Sequence, residues 1–563
     1  MRAEPEPGPQ LASLGAHRPG RWDGPLSRAQ SDPGTQSPAE DFGDHNHTKP
    51  CPEVLDSILA WAQVDPSSPA ARDYWRSLDY RALAQEILLV GKGLVERGLE
   101  RGDRVALCLP NSIDFLVGAL GSNWAGCVFV PMSPQDPAAR LRRLIQDCHP
   151  RLVVVHPDQG IDEAIMPAGV ELTTIAELAS RGSRSSARRR SWELAYCIYT
   201  SGTTGTPKGI MIPTASFAWA VHWSIRLIGL SRATRSLCVS PFFFDGSFGI
   251  LFTTAAAGGY LEIPRREAIV VPRVFIRLLE DQAINHSSCS PTYLRHLLSS
   301  PISSRLGKTG LATLTVGGEA LEAADLEALW QVAPNIKVFN RYGPTETTIA
   351  VTTHELGRSI LERGEVPVGQ PHPGVCFHLL DESGKEVSGP GASGELYIGG
   401  RQLMAGYWHA PELTRNLLSN FCFEEPHFRS GDVMRIDKEG NFVFVSRTDR
   451  LIKRSGVRIS LVELTRILRS APGVKEGACL AAGPPERPRL VAFVVPEDRF
   501  EPVSLRASLA ERLPGAMLPD DFVEVEALPT TRTGKLDEAR LIDLASQLAY
   551  SPGEASQASS KRP

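Results

Sequence analysis

The 563-residue chain has no uncharged apolar run of about 18 residues or more, so the sequence predicts no membrane span. Its first residues are rich in proline, glycine and charge and lack the apolar core of a secretory signal, so we do not expect export. Neither sign of charge dominates, with 60 Lys and Arg against 64 Asp and Glu. This balance argues against bulk electrostatic binding to nucleic acid or to a membrane surface.

The ten cysteines form no Cys-x-x-Cys pair and no Cys/His cluster at the sequence spacing of a zinc site. We therefore expect isolated, mostly buried thiols in a reducing compartment, and a cytoplasmic protein.

Composition changes along the chain predict four segments. Residues 1–50 and 549–563 are poor in large apolar residues and are predicted to be disordered. Residues 51–448 form the predicted N-terminal core, and residues 449–548 a small C-terminal domain.

Hydrophobic patterns within the core alternate between strands and helices. They predict strands at 103–110, 126–132 and 151–157, an amphipathic helix at 81–100 and a solvated loop at 181–190. Such alternation favours an α/β fold with mostly parallel sheets. We predict a large N-terminal domain of mixed sheets with flanking helices and a β subdomain, followed by a small α+β domain.

The stretch from Tyr196 to Ile210, YCIYTSGTTGTPKGI, surrounds a lysine with glycines and small hydroxyl residues. Glycine lets a backbone approach an anion closely, so that successive N–H groups can turn toward phosphate oxygens. The apolar run 195–199 predicts a buried strand that leads into the loop. The predicted phosphate-binding residues are Thr200, Ser201, Gly202, Thr203, Thr204, Gly205 and Lys208.

This loop differs from a Walker A loop in the residues around its lysine, which disfavours a phosphate-loop kinase or NTPase. The word YTSGTTGTPKG instead resembles the phosphate-binding signature of the adenylate-forming superfamily, which includes acyl-CoA synthetases, luciferases and the adenylation domains of nonribosomal peptide synthetases. Other words of that family recur in the same order from about Leu78 to Lys535. The resemblance implies a ligase that uses ATP and Mg²⁺ to form an acyl adenylate and then a carbon–sulfur bond.

The word FNRYGPTETTIA (339–350) supplies a second candidate site. An aromatic residue before Gly-Pro makes a rigid turn that can present a flat face to a nucleobase. The resemblance implies that Tyr342 stacks near adenine and that Thr345 and Glu346 bind the α-phosphate and Mg²⁺. A carboxylate is a ligand that this hard cation favours. A structural turn capped by the threonine is the alternative.

Two later words complete the implied nucleotide site. The resemblance implies that Asp432, in FRSGDVMRID (428–437), binds both ribose hydroxyls and that Arg447 lies near the ribose and phosphates. It also implies that Asp449 is the hinge of the small domain. The alternatives are a surface ion pair at Arg447 and a simple turn residue at Asp449.

Lys535 lies in LPTTRTGKLD (528–537) and matches the lysine that the family uses at the reacting centre. An ammonium between the substrate carboxylate and the α-phosphate relieves the repulsion between two anions and stabilises the charge that develops at phosphorus. We predict Lys535, Thr200 and Glu346 as the catalytic residues. A solvated lysine is the alternative.

Asp245 lies in the apolar word SPFFFDGSFGILF (240–252), so we expect its carboxylate to be at least partly buried. A buried carboxylate without a partner is costly. In amino-acid adenylation domains the aspartate of the corresponding word pairs with the substrate ammonium, and Asp245 falls on that position. An internal arginine or a backbone N–H is the alternative partner.

The resemblance carries over the other pocket positions one by one. They are Gly246, Gly249, Ser288, Leu314, Val316, Arg341, Ile349, Ala350 and Lys535. Arg341 has two interpretations: it meets a side-chain carboxylate of an acidic substrate, or it turns away and pairs with a protein carboxylate.

The words FDGSFG, SPTYLRHLL, TVGGEALEAADL and NRYGPTETTIAVT resemble stand-alone β-amino-acid carrier-protein ligases of macrolactam antibiotic biosynthesis. Adenylation of α-amino acids and acyl- or aryl-CoA ligation are the enzymatic alternatives.

No Gly-Gly-x-Ser attachment motif follows Lys535, so we expect the acceptor thiol on another molecule, a carrier protein's phosphopantetheine arm or CoA. A decayed homologue that serves as a binding protein is the non-enzymatic alternative, and the intact set of charged motif residues counts against it.

Overall fold

A computed structural model of the chain describes a set of residues that excludes both ends and several internal segments. The described residues are 51–158, 161, 165–200, 207–265, 269–448, 451–454, 457–483, 488–497, 501–529 and 536–549. The predicted disorder of residues 1–50 lies outside them, as does the predicted tail apart from Ala549, which ends a helix.

Fifteen α-helices lie in the described residues. In chain order, α1 to α15 are Val54–Val64, Tyr80–Glu96, Ile113–Trp124, Ala138–Cys148, Ile175–Gly182, Thr214–Ile228, Phe248–Ala256, Pro272–Asp281, Pro291–Leu298, Ala323–Val332, Ile360–Arg363, Pro411–Leu417, Leu461–Arg469, Pro502–Ala510 and Glu538–Ala549.

Twenty-six strands lie in the same residues. In chain order, β1 to β26 are Pro69–Arg72, Ser77–Asp79, Arg104–Cys108, Val128–Met132, Leu152–Val155, Glu171–Thr173, Leu194–Thr200, Lys208–Pro213, Arg235–Cys238, Tyr260–Glu262, His286–Cys289, Thr313–Gly317, Lys337–Tyr342, Thr352–Leu356, Val375–Leu380, Glu386–Val387, Ser393–Gly400, Gly406–Tyr407, Leu418–Ser419, His427–Ile436, Phe442–Arg447, Leu451–Arg454, Val457–Ser460, Val474–Ala482, Arg489–Pro496 and Asp521–Glu524.

Two large sheets build the core. One has the strand order β18-β8-β7-β4-β3-β5-β6, and the other β14-β13-β12-β11-β9-β10-β1-β2. Their central strands are parallel, whereas β8, β14 and β2 run antiparallel to their neighbours. The predicted α/β fold with mixed sheets is therefore confirmed.

The main hydrophobic cluster joins residues of both sheets through the helices between them. Phe129 of β4 packs against Phe248 of α7, with ring centroids 5.8 Å apart. Phe248 in turn packs edge-to-face against Tyr196 of β7 at 5.1 Å. Aromatic pairs in this geometry add to the stabilisation from apolar burial. They fix α7 against the strand that leads into the predicted phosphate loop.

The sequence predicted the first elements closely. The strands expected at 103–110, 126–132 and 151–157 are β3, β4 and β5, and the expected helix is α2. This helix ends at Glu96 rather than 100, and Gly98 takes a φ of 78° beyond it. The loop expected at 181–190 begins later, because Arg181 and Gly182 close α5, which a capping box starts at Thr174.

A six-stranded antiparallel sheet forms the predicted β subdomain, with strand order β16-β15-β17-β20-β19 and β21 beside β20. Beyond it, β22 pairs with β23, and β24, β25 and β26 form a three-stranded sheet with its own cluster of apolar residues. Glu463 of α13 is buried, and its carboxylate lies 3.9 Å from the Arg140 guanidinium of α4. Burial raises the pKa of Glu463, and Arg140, Arg466 and Arg143 oppose the shift.

The ten cysteines are unpaired thiols, and most of them are buried, as predicted. No helix within the described ranges is both long and apolar enough to cross a lipid bilayer.

Candidate active site

The predicted phosphate loop joins two antiparallel strands. Thr200 is the last residue of β7 and pairs with Lys208, the first residue of β8. The predicted strand before the loop is confirmed, since 195–199 lie within β7 and are buried. The loop itself falls outside the described residues, and with it the predicted ligands Ser201, Gly202, Thr203, Thr204 and Gly205.

Lys208 and Glu346 converge on the same tyrosine. The short strand β18 pairs with β8 and brings the Tyr407 ring to 5.7 Å from the Lys208 ammonium nitrogen. The Tyr407 hydroxyl donates a hydrogen bond to Oε1 of Glu346 at 2.8 Å. Sequence reasoning missed Tyr407, and the only available signal was the aromatic word GYW (406–408). The structure therefore brings Glu346, the predicted magnesium ligand, close to the hairpin of β7 and β8 that flanks the predicted phosphate loop.

The environment of Glu346 fits a magnesium ligand. Glu346 is buried, and its backbone carbonyl accepts a hydrogen bond from the Met404 N–H at 2.8 Å, which holds the turn in place. Each carboxylate oxygen has two lone pairs, so the bond from Tyr407 leaves acceptor capacity for a cation. A Mg²⁺ ion held by Glu346 would share the negative charge of bound phosphates.

The three residues predicted to bind the nucleoside lie in contact. Asp432 of β20 is fully buried and pairs in register with Arg447 of β21. The Tyr342 hydroxyl donates to one carboxylate oxygen of Asp432, and the Arg447 guanidinium donates to the other. Both oxygens keep a further lone pair for a ribose hydroxyl. Thr345 lies nearby in the chain, at the start of the 3-10 turn Thr345–Thr347.

The turn that follows has an unusual backbone. Thr348 and Ile349 have φ values of 61° and 65°, which residues other than glycine rarely adopt. The buried Gln402 side chain holds this turn, because its Nε2 donates to the carbonyls of Ala350, Thr348 and Thr347 at 2.7, 3.1 and 3.3 Å. In return, the Thr348 hydroxyl donates to the Gln402 carbonyl at 2.7 Å. Gln402 is a positioning residue that the sequence did not reveal.

A half-buried Asp245 opens the 3-10 turn Asp245–Ser247, which leads directly into α7. One of its carboxylate oxygens is buried. The pKa of the fully buried Tyr196 is raised well above its usual value, mainly by burial and also by the negative charge of Asp245. Gly246 beside it is exposed.

Arg341 fills the space that Gly249 leaves open. A Cβ at Gly249 would lie 2.2 Å from a guanidinium nitrogen of Arg341 and 3.1 Å from Ile349. The guanidinium donates to the Gly249 carbonyl at 3.0 Å and to the Ser224 hydroxyl at 2.8 Å. Glycine at position 249 is therefore needed to leave room for the Arg341 guanidinium, and that space is not empty pocket volume.

Burial lowers the pKa of Arg341 to about 10, and the negative charge of Asp245 opposes the shift. The guanidinium is thus charged at neutral pH. The same buried cation adds to the effect of burial on two histidines, lowering the pKa of His286 to about 3 and of His372 to about 4. Both histidines are therefore neutral at pH 7, whereas Arg341 keeps its charge.

Two predicted pocket residues require correction. Parallel pairing puts Ser288, Thr315, Gly317 and Arg341 on one face of the sheet, so Leu314 and Val316 point to the other face. There they pack in a hydrophobic cluster with apolar residues of helices α8, α9 and α10. The prediction for Leu314 and Val316 was therefore wrong by one residue, since Thr315 and Gly317 are the residues of β12 that share a face with Ser288 and Arg341.

The remaining predicted residues fall into two groups. Ile349 and Ala350 are buried in the cluster that also contains Phe248 of α7, so they lie on the pocket side. Asp449 and Lys535 lie outside the described residues.

We expect Gln402→Ala to release the turn, because the carbonyls of residues 347, 348 and 350 lose their donor while they stay buried. The free energy of unfolding should fall by about 1–3 kcal/mol, measured by chemical denaturation. Hydrogen exchange of the amides around 347–351 should quicken. Gln370→Ala is the matched control, since that exposed amide bonds only the Gly440 carbonyl among the described residues. Equal exchange in both variants would contradict the role of Gln402.

Comparisons with known proteins agree with this geometry. Residues 58–408 match the family of AMP-binding enzymes, and residues 463–535 match the AMP-binding enzyme C-terminal domain. The chain is 31% identical over 476 residues to a dimodular nonribosomal peptide synthase of Bacillus subtilis (strain 168), covering 82% of this chain and 20% of that protein. It is 32% identical over 512 residues to chondramide synthase cmdD of Chondromyces crocatus, covering 88% and 13%. The chain thus spans about a fifth or less of the length of these relatives.

Solved structures show the same architecture. Holo-PA1221, described as an NRPS protein containing adenylation and PCP domains, superposes with a TM-score of 0.78 at 25% identity, covering 88% of this chain and 84% of that one. IdnL1 superposes with a TM-score of 0.74 at 25% identity, covering 85% and 100%. Because the family match covers more than half of its length, the chain belongs to the AMP-binding enzymes.

Proposed function

We propose that the protein activates an amino acid, specifically a β-amino acid, as its aminoacyl adenylate and transfers it to the phosphopantetheine thiol of a separate carrier protein. The observation that carries the amino-acid assignment is Asp245, a half-buried carboxylate at the entry of α7 with one buried oxygen. A substrate ammonium is a natural partner for such a group, because an opposite charge offsets its desolvation. Acyl- and aryl-CoA ligases need no anion at this position.

The nucleotide side supports the adenylation step. Tyr342, Asp432 and Arg447 form one hydrogen-bonded group, which suits a nucleoside with free ribose hydroxyls. Lys208 and Glu346 meet at Tyr407, close to the phosphate hairpin that ends at Thr200. Lys208 and the hydroxyl loop would hold the departing pyrophosphate, and Glu346 would hold Mg²⁺. Such a site works by positioning and by charge stabilisation, without a protein nucleophile.

Transfer to a carrier protein is supported by the relatives. One curated relative is named a dimodular nonribosomal peptide synthase, and PA1221 contains a PCP domain beside its adenylation domain. We propose that the C-terminal domain turns about Asp449 between the two half-reactions, withdraws Lys535 and opens a path for the thiol. The buried contact between Glu463 and Arg140 would break or change partners in that motion.

The choice of a β-amino acid rests on the resemblance of the four sequence motifs around the pocket, and α-amino acids remain the alternative. Arg341 bears on the side chain of the substrate. Its guanidinium is already bonded to Gly249 and Ser224, which favours a role in shaping and charging the pocket. Its Nε is buried and has no hydrogen-bond partner among the described residues, so one donor of the guanidinium remains for a substrate carboxylate.

We expect Asp245→Asn to lower amine-dependent pyrophosphate exchange by about a hundredfold or more, since removing one partner of a buried charge pair costs about 3–5 kcal/mol. The panel should pair α- and β-amino acids, including acidic ones, with the matching acids that lack the amine. Asp281→Asn, at an exposed carboxylate on α8, is the matched control. Exchange that is equally fast with amine-free acids, and unchanged in Asp245→Asn, would favour a CoA ligase.

We expect Lys535→Ala to abolish adenylate formation while thiol transfer from supplied aminoacyl adenylate largely survives. The reason is that the ammonium is needed only where carboxylate and α-phosphate approach each other. The two half-reactions should be measured separately, by pyrophosphate exchange and by mass of the loaded carrier protein. Lys385→Ala, at an exposed turn, is the control. Equal loss of both half-reactions would refute the proposed division of labour.

A further inference from the structure

A cysteine and two histidines meet on the β subdomain, away from the residues of the candidate active site. Cys376 and His378 lie two residues apart on β15, and His427 begins β20. One ligand atom of each residue, Sγ or a ring nitrogen, lies within 4.8 Å of those of the other two. We call these three residues the Cys-His cluster.

A glycine between the strands makes the cluster possible. Gly399 of β17 pairs with Cys376 on one side and with His427 on the other, so the three residues form one row across the sheet. A Cβ at Gly399 would lie 2.4 Å from Nε2 of His427 and 2.7 Å from Sγ of Cys376. Because glycine has no side chain, the imidazole extends across it and its Nε2 comes within 3.4 Å of the sulfur.

Both imidazoles are oriented by a partner at Nδ1. His427 Nδ1 lies 2.8 Å from the Glu425 carbonyl oxygen, which only accepts, so Nδ1 carries the proton. His378 Nδ1 lies 2.6 Å from a carboxylate oxygen of Glu386, which fixes its proton in the same way. The lone pair of a neutral imidazole is then on Nε2. A carboxylate or carbonyl behind each imidazole is the arrangement that orients histidine ligands in metal sites.

Neighbouring rings pack around the imidazoles. Phe423 lies with its ring centroid 4.2 Å from that of His427 and 4.6 Å from that of His378. The two imidazoles meet edge-to-face at 5.0 Å. His427 is buried, whereas Cys376 and His378 are partly exposed, so solvent reaches the cluster from one side. The set therefore supplies three protein ligands and an approach for a fourth from water.

We propose that the Cys-His cluster binds a zinc ion through Cys376 Sγ and the Nε2 atoms of His378 and His427. A tetrahedral site with Zn–S near 2.3 Å and Zn–N near 2.0–2.1 Å separates sulfur and nitrogen by about 3.6 Å, close to the 3.4 Å found here. Sulfur and imidazole ligands suit this metal. Binding converts the Cys376 thiol to a thiolate and releases its proton to solvent. The ion would tie β15 to β20 across β17.

The site is distinct from the proposed catalytic site. Phe377, between the two cluster residues of β15, points to the opposite face of the sheet, where it packs with Phe442 and Tyr342. The cluster thus lies on the face away from the nucleotide residues. Its occupancy can be tested without any measurement of ligase activity.

Chelator-treated full-length protein should bind one equivalent of Zn²⁺, followed by calorimetry and elemental analysis, and its thermal unfolding midpoint should rise on saturation. Co²⁺ in place of Zn²⁺ should give the absorption of a tetrahedral site, with a thiolate-to-cobalt charge-transfer band. Absence of saturable binding, or a cobalt spectrum without the thiolate band, would overturn the proposal.

Variants locate the ligands. Cys376→Ser should remove the thiolate band, and His378→Gln should abolish stoichiometric binding; both residues are partly exposed, so folding should survive. Glu386→Gln should weaken binding by about 10–100-fold, as expected for a partner behind a histidine ligand. Cys422→Ser is the matched control, an exposed thiol in the segment that leads to His427. A thiolate band that persists in Cys376→Ser but disappears in Cys422→Ser would refute the assignment.

Discussion

The amide of Gln402 holds together the two halves of the candidate site. The turn that it supports carries Glu346 on the nucleotide side and Ile349 and Ala350 on the pocket side. Two residues of this turn have positive φ, a conformation that persists only where the surroundings impose it. His372 in turn donates from Nδ1 to Oε1 of Gln402 at 2.9 Å and accepts at Nε2 from the Thr353 hydroxyl at 3.0 Å. A chain of neutral donors and acceptors thus fixes the position of Glu346 relative to Ile349 and Ala350.

Charge is distributed unevenly on either side of this turn. On the pocket side, Arg341 is charged, while burial and the nearby cation keep His286 and His372 neutral. Asp245 is then the group whose charge balances that of Arg341, and an incoming ammonium makes the pocket cationic again. A substrate that also carries an anion would restore balance. This charge count favours an amino acid with an acidic side chain over one with an uncharged side chain, which is why the substrate panel includes acidic amino acids.

Motifs that are continuous in sequence predicted much of the site, and contacts between distant segments could not be predicted. The strand before the phosphate loop and the acidic turn residue Asp245 follow from local patterns. Gln402 and Tyr407 act on residues 52 and 61 positions away, so no local pattern marks them. The prediction that Leu314 and Val316 line the pocket was wrong for another reason. Side chains alternate along a strand, so an error of one residue moves the predicted side chain to the opposite face of the sheet.

The β subdomain shows how the two faces of one sheet can serve different purposes. Strand β20 begins with His427 of the Cys-His cluster and continues to Asp432, which meets Tyr342 and Arg447 on the nucleotide side. Its neighbour β17 contributes Gly399 to the cluster row and pairs with β20 along most of its length. A metal ion that ties β15 to β20 would therefore stiffen the strand that carries Asp432. Asp432 lies only five residues beyond His427 on the same strand, so the backbone of that strand connects the cluster to the nucleotide residues without contact between the two sets of side chains.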